Sequence, residues 1–388
     1  MNSTTTRLDP RVRDAMMPLL ASEEQGAVAP GATRSTLDAA RAEVARFCGA
    51  PDPAQIVFTS GGTEACNVAL KGPALWALSR NDERRRILAL STEHTAVLYP
   101  MRTLGRLGFD AREIPVDRQG VVELAALEDL LKVPTLLVAM APANAETGTC
   151  QPLDGVVALA HRRGALVHAD ACLAAAYGGI DVGALGVDMA SFSAHKIGGP
   201  KGAGAFWARD GVRLLPLLEG GVNEGGRRGG AENVAGIAGF AAAARIWKDE
   251  GPRIWQRLEA LGSRLESALL RTQGVECNGG AARRLPGMVN VSVPGLDGEA
   301  LITKLALRGV AVSSGSSCFQ ETGKPSHVLL AMGLDPLRAR GSVLFSLGRD
   351  TTDADVDRVV EVFPQVVASL KALGPDDPAR AAGPRRGR

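Results

Sequence analysis

A regular alternation of short aliphatic runs with helical patterns limits the folds open to this chain more than any other feature. The aliphatic and β-branched runs predict buried strands at Gln55–Ser60, Ile87–Ser91, Thr135–Met140, Ala165–Asp170, Met189–Ser193 and Gly204–Ala208. Helical spacing occurs in the segments Leu37–Phe47, Glu64–Leu78, Ala96–Leu107 and Val156–Arg163. This order predicts an α/β fold, with βαβ units around a mostly parallel sheet.

The C-terminal part of the chain has a different pattern, which predicts a second and smaller α+β domain. After a glycine-rich loop over 220–230, helical spacing runs from Ala235 to Gln273, with a break expected at Gly251 and Pro252. Predicted strands Gly287–Pro294, Val310–Ser314 and Val343–Leu347 then interleave with helices that begin at Gly298 and Asp353. We expect a large domain over 10–248, a small domain over 1–9 and 249–373, and a disordered tail over 374–388.

The composition is that of a globular protein with a sizeable core. The 388 residues are 45% hydrophobic and 22% charged, which suffices for two or three domain-sized units. A net charge of +2 gives no basic footprint for nucleic acid. The sequence has no apolar run of membrane-spanning length and no apolar N-terminal segment, so we expect no membrane partner and a cytoplasmic location.

The cysteines are spaced for neither disulfides nor a metal site. They form no C-x-x-C pair and no cluster with histidine, so we expect no bound metal. Five of them lie in apolar or helical contexts, where a cysteine is usually a small buried hydrophobe: Cys48, Cys66, Cys150, Cys172 and Cys277. Cys318 differs, because it ends the small, polar run Ser-Ser-Gly-Ser-Ser-Cys, where a thiol would be exposed and mobile.

Polar groups follow the predicted strands at the edge where an α/β sheet binds its ligands. The run Thr59–Glu64, which includes Gly62 and Thr63, ends a strand and opens a helix, so its N–H and hydroxyl groups suit a phosphate. Such a run also occurs as ordinary helix capping. His94 follows the next strand and could stack on a flat ring or carry a proton, although a lone histidine is more often structural.

Two further strands end in groups that complete this set. Asp170 could pair with a protonated pyridine nitrogen, and a helix N-cap is an equally good reading of this residue alone. Lys196 follows another strand, between Ser193 and a glycine-rich turn, where its amine could form a Schiff base with pyridoxal phosphate. Ser193 and His195 could donate to the phosphate. The joint order of these groups along the strands predicts a pyridoxal phosphate site.

These motifs together resemble the cysteine desulfurases of the class V aminotransferase family, and the match runs nearly from end to end. The matching segments are 58–64, 92–94, 191–196, 199–202, 313–318, 325–327 and 345–348. The resemblance implies fold type I of the pyridoxal phosphate enzymes, with a mostly parallel seven-stranded sheet in the large domain. It also implies a homodimer with both sites near the interface.

The resemblance further implies roles for the site residues. Lys196 would hold the cofactor and then take the α-proton of L-cysteine, while Asp170 pairs with the ring nitrogen and His94 stacks on the ring. Gly62, Thr63, Ser193 and His195 would hold the phosphate. The Cys318 thiolate would attack the substrate sulfur, giving L-alanine and a persulfide for an acceptor such as an iron–sulfur scaffold protein.

The chain departs from the family pattern at several positions. Ala145 and Leu173 replace an asparagine and a glutamine that contact the cofactor's phenolic oxygen, and Ala231 replaces a threonine that reaches the partner subunit's phosphate. Leu344 replaces the arginine that binds the substrate carboxylate, and an Asn-Pro-Ser-Ser motif expected near Gly31 is missing. Losing a charge-assisted contact of that kind weakens binding of free L-cysteine, unless another arginine, such as Arg340 or Arg349, replaces it.

Two alternatives to cysteine desulfuration therefore stay open. One is a related lyase or aminotransferase that uses the same cofactor and acts on a different amino acid, for example one whose carboxylate is blocked. The other is a degenerate, non-catalytic partner of an active desulfurase. Cys318 favours desulfuration over the first alternative, and Lys196 with Cys318 opposes the second.

Overall fold

A computed structural model describes residues 2–24, 30–315 and 324–373 of the chain. The helices of these residues are α1 Pro10–Glu24, α2 Pro30–Cys48, α3 Gly62–Ser79, α4 Thr95–Arg106, α5 Leu124–Leu130, α6 Leu153–Arg162, α7 Ala174–Tyr177, α8 Val182–Leu185, α9 Val234–Leu269, α10 Gly298–Leu307, α11 His327–Ala331, α12 Pro336–Arg340 and α13 Asp353–Ala372. The strands are β1 Ile56–Thr59, β2 Arg86–Leu90, β3 Asp110–Ile114, β4 Thr135–Met140, β5 Leu166–Asp170, β6 Met189–Ser193, β7 Gly204–Ala208, β8 Glu276–Cys277, β9 Met288–Ser292 and β10 Ser342–Ser346.

The larger sheet has seven strands in the order β1-β7-β6-β5-β4-β2-β3. Strands β2 to β6 run parallel to one another, whereas β7 is antiparallel to both of its neighbours, β1 and β6. Every residue of β1, β4, β6 and β7 is buried, as expected when helices cover both faces of a sheet. The carboxyl ends of β1, β2, β4, β5 and β6 therefore meet at one edge.

The smaller sheet has three antiparallel strands in the order β10-β9-β8. Helix α10 packs against β10, and the ring of Phe363 in α13 lies 5.8 Å from that of Phe345 in β10. Helix α13 also packs against the long helix α9. In this sheet Leu344 of β10 lies opposite Asn290 of β9, and Leu344 also forms an isolated antiparallel bridge with Ser313. The chain that precedes Cys318 thus borders the small sheet without forming a full strand.

Most of the predicted elements are confirmed. The strands at Thr135–Met140, Met189–Ser193 and Gly204–Ala208 have the predicted bounds, and the others differ at their ends by one or a few residues. The pattern missed β3, because this edge strand is polar and only partly buried. It also missed the strand β8, the helix α1 and the short helices α5, α7, α8, α11 and α12. The strand predicted at Val310–Ser314 is absent, apart from the bridge of Ser313.

The break predicted at Gly251 and Pro252 is wrong. Helix α9 runs without interruption from Val234 to Leu269 with Pro252 inside it. Buried side chains on both sides of the proline, including Trp247 and Leu258, anchor the helix. This tertiary packing outweighs the loss of one backbone hydrogen bond at the proline.

Two predictions fall outside the described residues: the disordered tail over 374–388 and the exposed, mobile thiol of Cys318. Within the described residues, no helix is both long enough and apolar enough to cross a membrane.

Candidate active site

A cavity of about 270 Å³ lies at the carboxyl edge of the large sheet. Its lining comes from the segments that follow β1, β2, β4, β5 and β6, together with the N-terminal segment and the start of α11. All seven predicted site residues that the structure describes line it: Gly62, Thr63, His94, Asp170, Ser193, His195 and Lys196. The position matches the general rule that open α/β sheets bind ligands beyond the carboxyl ends of their strands.

One end of the cavity is formed by the start of helix α3. Gly61, its N-cap, supplies no side-chain hydrogen bond, so N–H groups of the first turn have no side-chain partner from the cap. Gly62 is buried, Thr63 faces the cavity, and Ser193 and His195 line it as well. The N-terminus of this 18-residue helix, with hydroxyl groups beside it, suits an anionic group such as a phosphate.

Lys196 ends a short 3₁₀ turn, Ala194–Lys196, directly after β6. Its Nζ donates to the backbone oxygen of Thr4 at 2.9 Å and also to that of Ser3. Burial lowers the pKa of this amine, whereas nearby Cys172 and Asp170 act in the opposite direction. A lysine with a lowered pKa is closer to the neutral amine that attacks a carbonyl group or accepts a proton.

The N-terminal segment holds this lysine turn in place. The hydroxyl of Thr6 donates to the backbone oxygen of His195 at 2.9 Å, and the Nδ1 of His195 lies 3.1 Å from the hydroxyl of Thr5. Ser3 in turn donates its N–H to the hydroxyl of Ser346 in β10. Residues 2–9 therefore join the small sheet to the lysine turn.

His94 and Asp170 lie at the ends of β2 and β5. The Nδ1 of His94 accepts the N–H of Ala96 at 3.1 Å, which caps α4 and leaves Nε2 to carry the proton of the neutral ring. The surrounding protein lowers the pKa of this imidazole by desolvation. Asp170 accepts the N–H of Cys172 through Oδ1 at 3.1 Å, and its carboxylate lines the cavity.

Two buried carboxyl groups in the lining escaped the sequence analysis. Burial raises the pKa of Glu93 to about 8 and that of Glu146 to about 7. Glu93 accepts the N–H of Ala141 at 2.8 Å through Oε1, and its Oε2 has no hydrogen-bond partner among the described residues. Glu93 precedes His94 in the matching segment 92–94, and Glu146 follows Ala145. The neighbouring residues in the sequence did not indicate that either carboxyl group is buried.

Glu146 connects the cavity to the two ends of the stretch that carries Cys318. Its Oε2 is hydrogen bonded to the hydroxyl of Ser326. A Cβ added to Gly315 would meet the side chain of Glu146 at 3.0–3.3 Å. The backbone oxygen of Glu146 accepts the amide of Asn290 at 2.9 Å, which links it to β9.

The positions that depart from the family pattern are apolar in the structure as well. Ala145 and Leu173 line the cavity, and Leu344 is fully buried. Arg340 is exposed and does not line the cavity, while Arg349 is paired with the buried carboxylate of Asp9. Neither arginine named in the sequence analysis therefore lines the cavity.

The described cysteines are all free thiols: Cys48, Cys66, Cys150, Cys172 and Cys277. Cys172 lines the cavity, and a hydrogen bond with Cys66 together with burial raises its pKa well above that of an ordinary thiol. Within the part of the chain that the structure describes, no group of His, Cys, Asp and Glu could hold a metal ion.

The lining fits pyridoxal phosphate. The open helix N-terminus with Thr63, Ser193 and His195 suits the phosphate, and the carboxylate of Asp170 suits a protonated pyridine nitrogen. Lys196 supplies the amine that this cofactor's aldehyde requires, and His94 offers a flat ring. Ala145 and Leu173, in contrast, offer no donor to a phenolic oxygen.

Comparison with known proteins gives the same picture over nearly the whole chain. The model of the aminotransferase class-V family matches residues 1–359. The chain is 37% identical over 377 residues to cysteine desulfurase IscS 1 of Archaeoglobus fulgidus, a match that covers 96% of this chain and 97% of that protein.

Two solved structures are similar as well. A NifS-like protein has a TM-score of 0.86 at 35% identity, covering 95% of this chain and 98% of that one. The protein SspA, solved in complex with cysteine, has a TM-score of 0.76 at 28% identity, covering 90% of this chain and 99% of that one.

The fold and the site define a pyridoxal-phosphate-dependent enzyme of fold type I. The chain belongs to the class-V aminotransferase family. The predictions of family, fold class and cofactor are thereby confirmed.

Proposed function

We propose that this protein is a cysteine desulfurase, which removes sulfur from a cysteine substrate and passes it to an acceptor. The convergence of Lys196, Asp170 and His94 on one cavity carries the proposal. The likeness to cysteine desulfurases over 96% of the chain supports it. The structure of SspA with cysteine, a relative of similar fold, supports cysteine as the substrate.

We assign the following roles to the chain's own residues. Pyridoxal phosphate, when bound, supplies an electron sink for the negative charge that develops at the substrate's α-carbon. Thr63, Ser193, His195 and the N–H groups at Gly62 hold its phosphate, and Asp170 keeps its ring nitrogen protonated. Lys196 would hold its aldehyde and carry the α-proton, a role for which a lowered pKa is suitable. His94, neutral with its proton on Nε2, would offer its flat ring to the cofactor.

The sulfur step is assigned to Cys318, which lies outside the described residues. Its thiolate attacks the substrate sulfur, so that an S–S bond forms, the C–S bond breaks and the β-carbon gains a proton. Cysteine and one enzyme thiol thus become alanine and an enzyme persulfide, and the atoms and electrons balance without an external oxidant. The persulfide then passes to an acceptor protein, for which an iron–sulfur scaffold is our candidate.

Three further predictions belong to this proposal. We expect a homodimer with both sites near the interface, and a cytoplasmic location. We also expect a large domain over 10–248 and a small domain over 1–9 and 249–373. Helix α9 runs through that boundary, so the two units share a continuous helix.

The test uses purified, cofactor-loaded protein with L-cysteine and dithiothreitol, and it measures sulfide and alanine over time. We expect equal amounts of both products over many turnovers. Lys196→Ala is expected to lower the rate at least a hundredfold, because it removes the group that moves the proton.

Cys318→Ala has a matched control in Cys150→Ala, since Cys150 does not line the cavity. The first variant should lose sulfide release but still bind substrate, and the second should behave like the wild-type protein. A protein that binds cofactor but releases sulfide neither from L-cysteine nor from L-cysteinamide would refute the desulfurase assignment and favour a non-catalytic partner role. Equal activity of both variants would exclude Cys318 as the sulfur acceptor.

A further inference from the structure

The cavity lining is rich in carboxyl groups and poor in cations. Glu93, Glu146 and Asp170 all line it, whereas Lys196 is the single lysine among the lining residues and no arginine is found there. Lys196 is already committed to the cofactor and the proton in the proposed function. A substrate carboxylate entering this cavity would thus find no lysine or arginine, other than Lys196, among the residues that line it.

Two arginines that lie close to lining residues are paired with carboxylates. Arg228 is paired with Glu64 at 3.1 Å, next to Thr63. Arg349 pairs with Asp9 and lines, together with Arg7, a separate space of about 20 Å³ on the other side of Lys196. A space of that size holds about one water molecule and not a carboxylate. The sequence over 316–323 contains neither lysine nor arginine.

Three positions where the family pattern has a polar side chain are apolar in this chain: Ala145, Leu173 and Leu344. Ala145 and Leu173 are in the lining itself. Leu344 lies opposite Asn290 in the small sheet, and the amide of Asn290 donates to the backbone of Glu146 at 2.9 Å. Because paired residues of antiparallel strands share a face, the side chain of Leu344 is on the face of β10 that is turned toward the cavity turn at Glu146.

The polar groups that remain suit a neutral carbonyl oxygen better than a charged carboxylate. The raised pKa values of Glu93 and Glu146 leave both groups largely or partly protonated near neutral pH, and a protonated carboxyl group donates one hydrogen bond. Glu93 has an oxygen without a partner among the described residues. Glu146, with a pKa near 7, is partly ionised at neutral pH, and its negative charge in the lining disfavours a carboxylate beside it. The carbonyl of an ester, thioester or amide carries no charge for it to repel.

We propose that the cavity selects a cysteine derivative whose carboxyl group is blocked, as an ester, thioester or amide, over free L-cysteine. This inference rests on the proposed function, since it names the substrate class of the same site. The reaction keeps the same balance: the blocked cysteine loses its sulfur to an enzyme thiol and leaves as the correspondingly blocked alanine.

The test compares matched probes that differ only in the carboxyl group. Binding of L-alanine and of L-alaninamide to the cofactor-loaded protein is followed through the absorbance of the cofactor, which gives two dissociation constants without turnover. Sulfide release from L-cysteine and from L-cysteinamide gives the corresponding kcat/KM values. We expect the amide to be preferred at least tenfold in both comparisons.

Because the amine of an amide is less basic than that of a free amino acid, variants provide the decisive comparison. Leu344→Arg should lower the amide preference at least tenfold relative to Leu344→Met, a neutral control of similar length. Should a buried arginine at this site prevent folding, Ala145→Arg is compared with Ala145→Gln, since Ala145 is partly exposed in the lining. In each pair the arginine adds a partner for the free acid alone.

The outcomes separate this inference from the proposed function. Tighter binding of free L-alanine than of its amide would overturn the inference even if sulfide is released. An amide preference that the added arginines leave unchanged would overturn it too, because charge would then not be its cause. If no probe releases sulfide, the desulfurase proposal fails, while the two dissociation constants still decide whether the cavity discriminates against a free carboxylate.

Discussion

The start of helix α3 offers a sharp test of how the cavity is built. A Cβ added at Gly62 would overlap the Sγ of Cys172 but would lie 3.4 Å from the Cβ of Ser193 and 3.6 Å from the Cβ of Cys172, both ordinary contacts. The sulfur alone therefore prevents an alanine at this position. Overpacking of this kind costs about 1–3 kcal/mol, and the higher helix propensity of alanine offsets up to about 1 kcal/mol.

We accordingly expect Gly62→Ala to lower the free energy of unfolding by roughly 1–2 kcal/mol, and to weaken cofactor binding as the sulfur shifts into the cavity. In a Cys172→Ala background the same change should be neutral or slightly stabilising. Urea unfolding and cofactor titration of the four proteins of this double-mutant cycle measure the coupling, expected at about 1–3 kcal/mol. An equal cost of Gly62→Ala in both backgrounds would refute this account of the turn.

Three other predictions address stability. Glu146 ionises near pH 7 in the folded protein and at about pH 4.3 in the unfolded chain. The stability that its protonated carboxyl group contributes is therefore lost as the pH rises from the lower of these values through the higher. Between pH 4.5 and 8, the free energy of urea unfolding of the wild type should fall by about 3 kcal/mol relative to that of Glu146→Gln. An equal pH dependence of the two proteins would contradict the burial of this carboxyl group. Hydrogen bonds from Arg11 and Arg349 hold the pKa of Asp9 well below its usual range. The free energy of unfolding of the wild type should therefore exceed that of Asp9→Asn by less and less as the pH falls from 5 to 2. Arg41 pairs with the buried Glu224 at 2.7 Å, so Arg41→Met should cost about 3–5 kcal/mol, and adding Glu224→Gln should restore most of it; a double variant as unstable as the single one would argue against an uncompensated charge.

The strands of the large sheet could be read directly from the sequence because they are buried on both faces. A strand that is buried on both faces has apolar residues at consecutive positions, as in the aliphatic run Thr135–Met140. Strand β3 could not be found in this way, since an edge strand with partly exposed polar residues resembles a loop. The continuity of α9 through Pro252 was equally invisible, because packing against distant elements, and not local propensity, decides it.

The sequence by itself determined which chemical groups follow which strand, and hence the cofactor, the family and the convergence of Lys196, Asp170 and His94. A parallel sheet brings the ends of its strands together whatever the lengths of the connections, so order along the chain was sufficient. The tertiary structure alone decided the charge balance of the cavity. Three features of the cavity depend on contacts between residues far apart in sequence. They are the burial of Glu93 and Glu146, the hydrogen bonds of Lys196 to the backbone of Ser3 and Thr4, and the ion pair of Arg349 with Asp9. Desolvation and ion pairing depend on the three-dimensional surroundings of a group, which no local pattern encodes.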